Sequence, residues 1–208
     1  MESLKIWKAL WVTSIVDISV TIWVIGIPVA LLALAIFDWR KGAIAAALLI
    51  GASGFFLLAQ PDLRIPVVGA SKSDWNPKSF WYEPWGKSIV HRGIDIFAKS
   101  GTDVISPSGI FVIYAGENPV SGKLVLAVDR SLRIHFFAHL QSIKTEQFSY
   151  LDVGEAVGTV GDSGNAKGKP PHLHYGLAST IPRPWMITSQ TRGQLRAFYL
   201  NPETHFSF

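Results

Sequence analysis

Two long runs without charged residues dominate the first third of this 208-residue chain. No charge occurs in residues 18–37 or in residues 42–61, and the short cluster DWRK separates the two runs. A helix needs about 20 predominantly apolar residues to cross the hydrocarbon core of a bilayer. The pattern therefore predicts a membrane anchor over residues 1–61, with two transmembrane helices at about 12–37 and 42–60.

The apolar start of the chain leaves two questions open. A cleaved signal peptide is an alternative, because Lys5 and Lys8 precede the first run, but that run is longer than an h-region and a second one follows it. Lysine and arginine are more numerous on the outer flanks than in the connector, which favours both ends inside the cell. A function outside the cytoplasm requires the opposite orientation, or one true span with the other segment peripheral.

From about residue 62 the pattern changes to short β-branched and aromatic runs separated by Gly, Pro and other turn residues. Such runs predict the strands of an all-β domain built from antiparallel sheets. The clearest are GIFVIY at 109–114, KLVLAV at 123–128, LRIHFFAHL at 132–140, AVGTV at 156–160 and HLHYGL at 172–177. Residues 189–200 are compatible with a short helix. We predict an irregular linker over residues 62–84 and the β domain over residues 85–208.

Composition narrows the functional classes. Only 16% of the residues are charged and the mean hydropathy is +0.28, which supports contact with membrane lipid. The chain has no cysteine, so any metal must be held by His, Asp or Glu. The net charge of +4 comes from scattered Lys and Arg residues without a basic stripe. No nucleic-acid partner is therefore expected.

Four histidines and one aspartate form the candidate chemical site. His91 precedes Asp95 by four residues, His139 ends a strand-like run, and His172 and His174 form an H-x-H pair. Residues two and four apart on a strand face the same side. Each pair should therefore share one face, and two strands could present four ligand-type groups to one point.

The segment HRGIDIF at 91–97 is predicted as a strand with a polar working face and an apolar packing face. Gly93 leaves room between the two polar side chains of that face. A lone strand histidine is more often a surface residue or a satisfied core residue, and we keep this interpretation for His135 and His205.

Two imidazoles, one carboxylate and no thiol suit a catalytic zinc with three protein ligands and an open fourth position. Such a metal lowers the pKa of its water to about 7 and polarises a carbonyl oxygen. Uncoordinated histidines then act as acid, as base or in oxyanion stabilisation. The same donors also occur as the facial triad of non-haem iron oxygenases, an alternative that the additional histidines and the apolar N-terminal region disfavour.

The motifs resemble those of the M23 peptidases, also called lysostaphin or LytM-type domains. The similar stretches are HRGIDIFAKSGTDVISPSGIFVIYAG, FAHL and VGEAVGTVGDSGNAKGKPPHLHYGL, with a weaker similarity at LNPE. The resemblance covers roughly residues 85–177 and implies a small antiparallel, LytM-like β fold. Residues 180–196 have no clear counterpart in the family.

The resemblance also implies roles for the five site residues. One zinc ion per domain would be held by His91, Asp95 and His174. His139 and His172 would be the catalytic pair that activates the water and stabilises the tetrahedral intermediate. All five positions are filled, which favours an active enzyme.

The resemblance therefore implies a membrane-anchored zinc metalloendopeptidase that hydrolyses peptide bonds of bacterial peptidoglycan, either stem-peptide cross-links or bridges. Its expected partners are peptidoglycan peptides and membrane lipid, and a membrane protein bound to the spans stays open. The expected location is the bacterial cytoplasmic membrane, with the catalytic domain on the periplasmic or extracytoplasmic face. The alternative is a wall-binding or regulatory module that activates a partner hydrolase without turnover.

Overall fold

The computed structural model describes residue 22, residues 26–58 and residues 60–208. The N-terminal part of the described chain contains helix α1 (Ile27–Phe37) and helix α2 (Trp39–Leu58), which contact each other. The predicted span at 12–37 lies in part outside the described residues.

The predicted transmembrane segment is not confirmed. Within the described part of the chain, no helix has both the length and the apolar character needed to cross a membrane. Helix α1 has 11 residues, and α2 carries Arg40 and Lys41 near its start.

Ten short strands in two antiparallel sheets form the rest of the chain. They are β1 (Ile94–Phe97), β2 (Asp103–Ile105), β3 (Ile110–Asn118), β4 (Gly122–Asp129), β5 (Arg133–Leu140), β6 (Ser142–Ile143), β7 (Tyr150–Leu151), β8 (Ala156–Thr159), β9 (His172–Ser179) and β10 (Tyr199–Leu200). The larger sheet has the order β1-β9-β5-β4-β3-β7, with β10 also pairing with β9, and the smaller sheet has the order β2-β8-β6. The predicted antiparallel all-β domain is therefore confirmed.

The main core is formed by alternate residues of both sheets. On β9, Leu173, Tyr175 and Leu177 are fully buried in it, and Ile94 and Ile96 join them from β1. The intervening residues of the central strands face the other side of the larger sheet, because successive side chains of a strand point to opposite faces. This alternation puts the main core on one face of the larger sheet, while the other face carries the site and a second apolar cluster that includes Leu124, Leu126 and Phe198.

The segment 62–84 is irregular in conformation, yet it belongs to the packed domain. Leu63 is fully buried and pairs with Phe206 in a parallel bridge, while Val67 pairs with Val104. Trp75 packs edge-on against Phe206, with ring centroids 5.7 Å apart. The sequence-based boundary at residue 85 therefore does not coincide with the edge of the core.

Two local predictions need correction. The first strand begins at Ile94, so the residues 91–93 that were predicted to extend it are outside the sheet. Residues 189–200 contain a 3-10 turn at Gly193–Ala197 followed by β10 in place of a regular helix. Gly193 starts this turn after Arg192, whose backbone is left-handed with φ at 53°.

Candidate metal centre

Neighbouring strands bring Asp95 and His174 together. The two residues are direct partners in the antiparallel pairing of β1 with β9. Because Ile94 and Leu173 beside them point into the core, both polar side chains point to the opposite face of the sheet. The sequence pattern of alternating polar and apolar residues thus specifies where these two side chains lie.

His91 completes a compact triangle of donor atoms. Its Nε2 lies 3.1 Å from Asp95 Oδ1 and 3.0 Å from His174 Nδ1, and the latter two atoms are 2.8 Å apart. The structure therefore brings together the three side chains predicted as metal ligands, and they form a group that could hold a metal ion. All three are at least partly shielded from solvent, and His91 is almost fully buried.

The loop before β1 holds His91 in place. Its backbone N–H donates to Tyr82 O and its backbone O accepts from Trp81 N. Its Nδ1 lies 2.9 Å from Ser79 O, and its ring stacks on Trp85 with the centroids 4.0 Å apart. His91 reaches the site from this loop and not from a strand.

The hydrogen-bonding capacity of these three side chains favours a cation inside the triangle. A carbonyl oxygen can only accept, so His91 Nδ1 must donate to Ser79 O, and neutral His91 then has a lone pair on Nε2. The carboxylate of Asp95 is an acceptor, and the neutral imidazole of His174 can place at most one proton on Nδ1. A single proton cannot bridge all three of these mutually close nitrogen and oxygen atoms, whereas one metal cation can be coordinated by all of them.

The spacing of the donors fits zinc. Nitrogen and oxygen ligands lie at about 2.0 to 2.2 Å from zinc, so tetrahedral ligands are about 3.3 Å or slightly more apart. The three separations in this site are 3.1, 3.0 and 2.8 Å. A small outward movement of the rings would accommodate the ion. The donor set of two imidazoles and one carboxylate leaves a fourth position open.

A β-bulge turns His139 toward the site. Lys123 pairs with Leu140 and Val125 pairs with Phe137, so β5 has one extra residue between these pairs. His139 takes a left-handed backbone conformation with φ at 63°, which is uncommon for a residue other than glycine. Strict alternation would have put it on the core face beside the buried Phe137. The bulge re-aims the side chain instead.

His139 and His172 are oriented in the same way as His91. His139 Nδ1 donates to Ser163 O at 2.9 Å, and His172 Nδ1 donates to Pro170 O at 2.8 Å. In their neutral forms both rings therefore carry the lone pair on Nε2. His172 Nε2 lies 3.9 Å from Asp95 Oδ2, and the His139 and His172 ring centroids are 5.2 Å apart.

Burial and mutual charge shift the pKa values of the site. Burial opposes ionisation of Asp95, but the neighbouring His174 and His91 outweigh it and hold the pKa of the carboxyl well below its usual value. Burial lowers the pKa of His174, which Asp95 partly offsets. Burial and the charge of His174 lower the pKa of His139 to about 4, so this ring is neutral at pH 7.

The five side chains line a groove of about 690 Å³. Pro84 and Trp85 form part of its wall, so the segment before β1 borders the groove without filling it. Arg92 and Lys169 add positive charge to the lining. Apolar side chains of the larger sheet also line the groove, namely Leu126, Ile134, Phe136, Ala138 and Ala178.

Gly93 is required by the close approach of β1 and β9. A Cβ at this position would lie 2.6 Å from Tyr175 O and 3.0 Å from His174 Cε1. Real Cβ contacts of this length are essentially absent, so any larger residue would displace the backbone or the His174 ring. The sequence predicted Gly93 as a spacer between His91 and Asp95, whereas in the structure it makes room for Tyr175 O and the His174 ring.

The remaining histidines lie outside the site. His135 is fully buried on the core face of β5, where its Nδ1 is 2.8 Å from the Tyr175 hydroxyl. His205 is part of the C-terminal 3-10 turn Pro202–His205. Both positions agree with the structural interpretation.

Sequence reasoning missed the groups that orient the site. The carbonyls of Ser79, Ser163 and Pro170 fix three imidazoles, and backbone carbonyls leave no side-chain signal in a sequence. Trp85 was not singled out as a site residue, although its ring lies against His91. An aromatic residue six positions before a candidate ligand was the one available signal.

Comparison with known proteins relates part of the chain to one family. Residues 89–182 match the model of peptidase family M23 and are thus similar to an M23 domain. The matched residues include all five positions of the site, so the geometry described above lies at the centre of the family match.

Three curated relatives share this region. The chain is 34% identical to the L-Ala–D-Glu endopeptidase of Bacillus subtilis over 140 residues, covering 62% of this chain and 41% of the relative. It is 34% identical to the cell division protein DipM of Caulobacter vibrioides, covering 56% and 20%. It is 29% identical to the peptidoglycan DD-endopeptidase ShyC of Vibrio cholerae, covering 50% and 23%. In each case the match spans less than half of the relative's length.

Solved structures share the fold. The antimicrobial peptidase lysostaphin from Staphylococcus simulans aligns with a TM-score of 0.51 at 19% identity, covering 70% of this chain and 54% of that one. A chain of the SpoIIQ–SpoIIIAH pore forming complex aligns with a TM-score of 0.53 at 16% identity, covering 72% and 93%. At these identities the likeness shows the antiparallel β fold alone.

Proposed function

We propose that the M23-like domain is a zinc-dependent endopeptidase that hydrolyses peptide bonds of bacterial peptidoglycan. The observation that carries the proposal is the triangle of His91, Asp95 and His174, with the Nε2 lone pairs of His139 and His172 in the same groove. Two of the relatives are peptidoglycan endopeptidases that cut different bonds, which supports the substrate class and leaves the bond to experiment.

The metal ligands would be His91, Asp95 and His174. When bound, zinc supplies Lewis-acid polarisation of a carbonyl oxygen and lowers the pKa of a water to about 7. The carbonyl of Ser79 keeps the His91 Nε2 unprotonated for this role. Burial of His174 favours its neutral form, which is the form that binds a metal.

His172 and His139 would move the proton. Each ring holds its Nδ1 proton on a backbone carbonyl, so the Nε2 lone pair is free to accept a proton from the attacking water. The imidazolium that results can donate this proton to the departing amine nitrogen.

The groove also suits a peptide with acidic groups. Arg92 and Lys169 are cationic and line the groove together with apolar residues of the sheet. Peptidoglycan stem peptides combine carboxylates with small apolar side chains, so they are complementary to this lining.

Access to peptidoglycan requires that the domain act outside the cytoplasm, at the cytoplasmic membrane. The described helices expose several large apolar side chains, including Val29, Leu32, Ile44 and Leu48. Such surfaces are typical of contact with lipid or protein. We therefore propose that the N-terminal region holds the domain at the membrane.

The test is digestion of purified peptidoglycan and defined cross-linked muropeptides by the full chain. We expect new amino termini that disappear with a chelator and in the His174→Ala variant, and mass spectrometry of the products identifies the bond. A His205→Gln variant is the control, because His205 lies outside the groove. Intact substrate despite one bound zinc per chain would refute the peptidase assignment.

A regulatory module is the second candidate, because one relative is named a cell division protein and not a peptidase. This module would bind the same wall peptides in the same groove without turnover. Binding of muropeptides at unchanged covalent structure, together with activation of an added hydrolase, would distinguish it.

A further inference from the structure

The loop between β9 and β10 (residues 180–198) presents three consecutive apolar side chains to solvent. Trp185, Met186 and Ile187 are 69%, 38% and 52% exposed. The backbone here is ordered by hydrogen bonds, since Met186 N donates to Arg183 O and Ile187 N donates to Pro184 O. A fixed turn that exposes a tryptophan followed by two other large apolar residues is typical of an interaction surface.

The charge of this β9–β10 loop is positive throughout. Its sequence contains three arginines and no acidic residue. Arg192 is exposed, and the Arg196 guanidinium packs over the Phe80 and Trp81 rings. Exposed tryptophan with adjacent arginine is the combination found where proteins contact the headgroup region of anionic bilayers.

Two donors at the base of the loop lack an acceptor. Arg183 Nη2 donates to Gln60 Oε1 at 2.6 Å, but Arg183 Nε and Gln60 Nε2 have no partner among the described residues. Leaving a buried donor unpaired is unfavourable, and charged donors form stronger hydrogen bonds with anionic oxygens. Both nitrogens have almost no contact with solvent, so they belong to the packed base of the loop.

The loop lies where the apolar helices join the domain. Helix α2 ends at Leu58, and the next described residues are held to the domain by Arg183 at Gln60 and by Arg133 Nη1 at Pro61 O, 3.1 Å away. The apolar side chains of the helices and those of the loop are thus connected through one short segment. A partner surface in contact with both the helices and the loop would have to offer apolar groups and negative charge.

We propose that the β9–β10 loop docks on the surface of an anionic phospholipid bilayer, with Trp185, Met186 and Ile187 at the interface and the arginines on headgroup phosphates. This inference deepens the proposed membrane location and does not depend on peptidase activity. Ser179 lies five positions after His174 on β9, which is about 16 Å along a strand. Docking would therefore hold the metal centre away from the lipid.

The absence of cysteine allows a direct test. The full chain with Ser189→Cys, labelled with an environment-sensitive fluorophore, reports on the loop. Ser100→Cys is the matched control, because Ser100 is exposed and follows β1, whose end pairs with His172 at the opposite end of β9. The protein is bound to phosphatidylglycerol vesicles that contain a lipid spin-labelled near its headgroup, which quenches nearby fluorophores. We expect the fluorophore at position 189 to be quenched at least threefold more than the one at position 100.

Substitutions assign the quenching to the loop. Trp185→Ser and Arg183→Gln should each reduce it by at least half, whereas Phe148→Ser and Lys99→Gln, at exposed positions elsewhere, should not. Equal quenching at the two labels, or none at either in vesicle-bound protein, would overturn the proposal. A response of the position 189 label to inorganic phosphate alone, without vesicles, would assign the arginines to a soluble anion and would also overturn it.

Discussion

Three of the four site histidines donate Nδ1–H to a backbone carbonyl, and this single type of contact defines the chemistry of each ring. It directs the Nε2 lone pair of His91 toward Asp95 and His174, and it leaves His139 and His172 able to accept a proton. Fixing a tautomer through the second ring nitrogen is the usual way in which proteins orient metal-binding and catalytic histidines. The proposed roles of these three histidines thus follow from hydrogen bonds to groups outside the site.

Replacing a ligand should abolish metal binding. We expect one zinc per chain in the wild type after dialysis and less than about one tenth in Asp95→Asn or His174→Ala, since the first change replaces the anionic ligand by a neutral amide and the second removes an imidazole. Metal analysis of the purified chains measures this directly. His205→Gln should retain the wild-type content, and full zinc occupancy in His174→Ala would exclude this residue as a ligand.

Replacing a proton-transfer residue should separate turnover from metal binding. For His172→Ala and His139→Ala we expect kcat to fall by about 10² to 10⁴, because positioned acid–base groups contribute that much. The zinc content should stay at one per chain. Steady-state kinetics on a defined muropeptide, with metal analysis of the same samples, checks both. Loss of zinc in His172→Ala would instead make it a ligand.

At the scale of elements, the alternation of side chains along β1 and β9 and the bulge in β5 place the site residues on one face of the sheet. The H-x-H pair of β9 and Asp95 of β1 follow simple alternation, and the sequence was sufficient to place them. His139 does not follow it, because the bulge in β5 depends on pairing with β4 and on a left-handed backbone that no local pattern indicates. His91 likewise depends on a loop that pairs with Trp81 and Tyr82.

The close contact of the Gly93 backbone with β9 can be tested by substitution. Gly93→Ala places a Cβ against Tyr175 O and the His174 ring, so the strands must separate or the ring must move. We expect zinc affinity to fall at least tenfold and the melting temperature to decrease. Gly54→Ala is the control, because its Cβ would meet nothing within 4 Å in helix α2. Unchanged zinc affinity in Gly93→Ala would show that the ring position is not critical.

At the scale of the whole molecule, distant parts of the chain close one core. Leu63 N donates to His205 O and Ser207 N donates to Leu63 O, so residues before β1 pair with the C-terminal residues. The sequence could not predict this contact, because the segment 62–84 has no periodic pattern and its partners are more than 100 residues away. The alternating patterns predicted the strands, whereas the contacts that close the domain depend on tertiary structure.

Histidines packed into this closed core should make the free energy of unfolding decrease at acidic pH. Burial and the charges of Arg133 and Arg183 lower the pKa of His205 to about 4 from 6.5, and burial also lowers that of His135. The unfolded chain therefore takes up protons below about pH 6.5 that the folded chain does not take up until near pH 4. Stability should be constant above pH 6.5 and should fall between pH 6.5 and 4.

Thermal unfolding of metal-free protein across this pH range measures the effect. His205→Gln should show a smaller decrease in melting temperature than the wild type between pH 7 and 4.5, because one of the histidines whose pKa is lowered on folding is removed. Identical pH dependence in the two proteins would contradict the burial of a neutral His205.

Return of zinc to chelator-stripped protein, with cleavage of a defined muropeptide as the readout, tests the central claim most directly. We expect no cleavage without metal, a linear rise in rate with added zinc, and saturation at one equivalent per chain. Cleavage that persists without metal, or one equivalent of bound zinc with no cleavage, would contradict the assignment of His91, Asp95 and His174 as the metal centre of a peptidase.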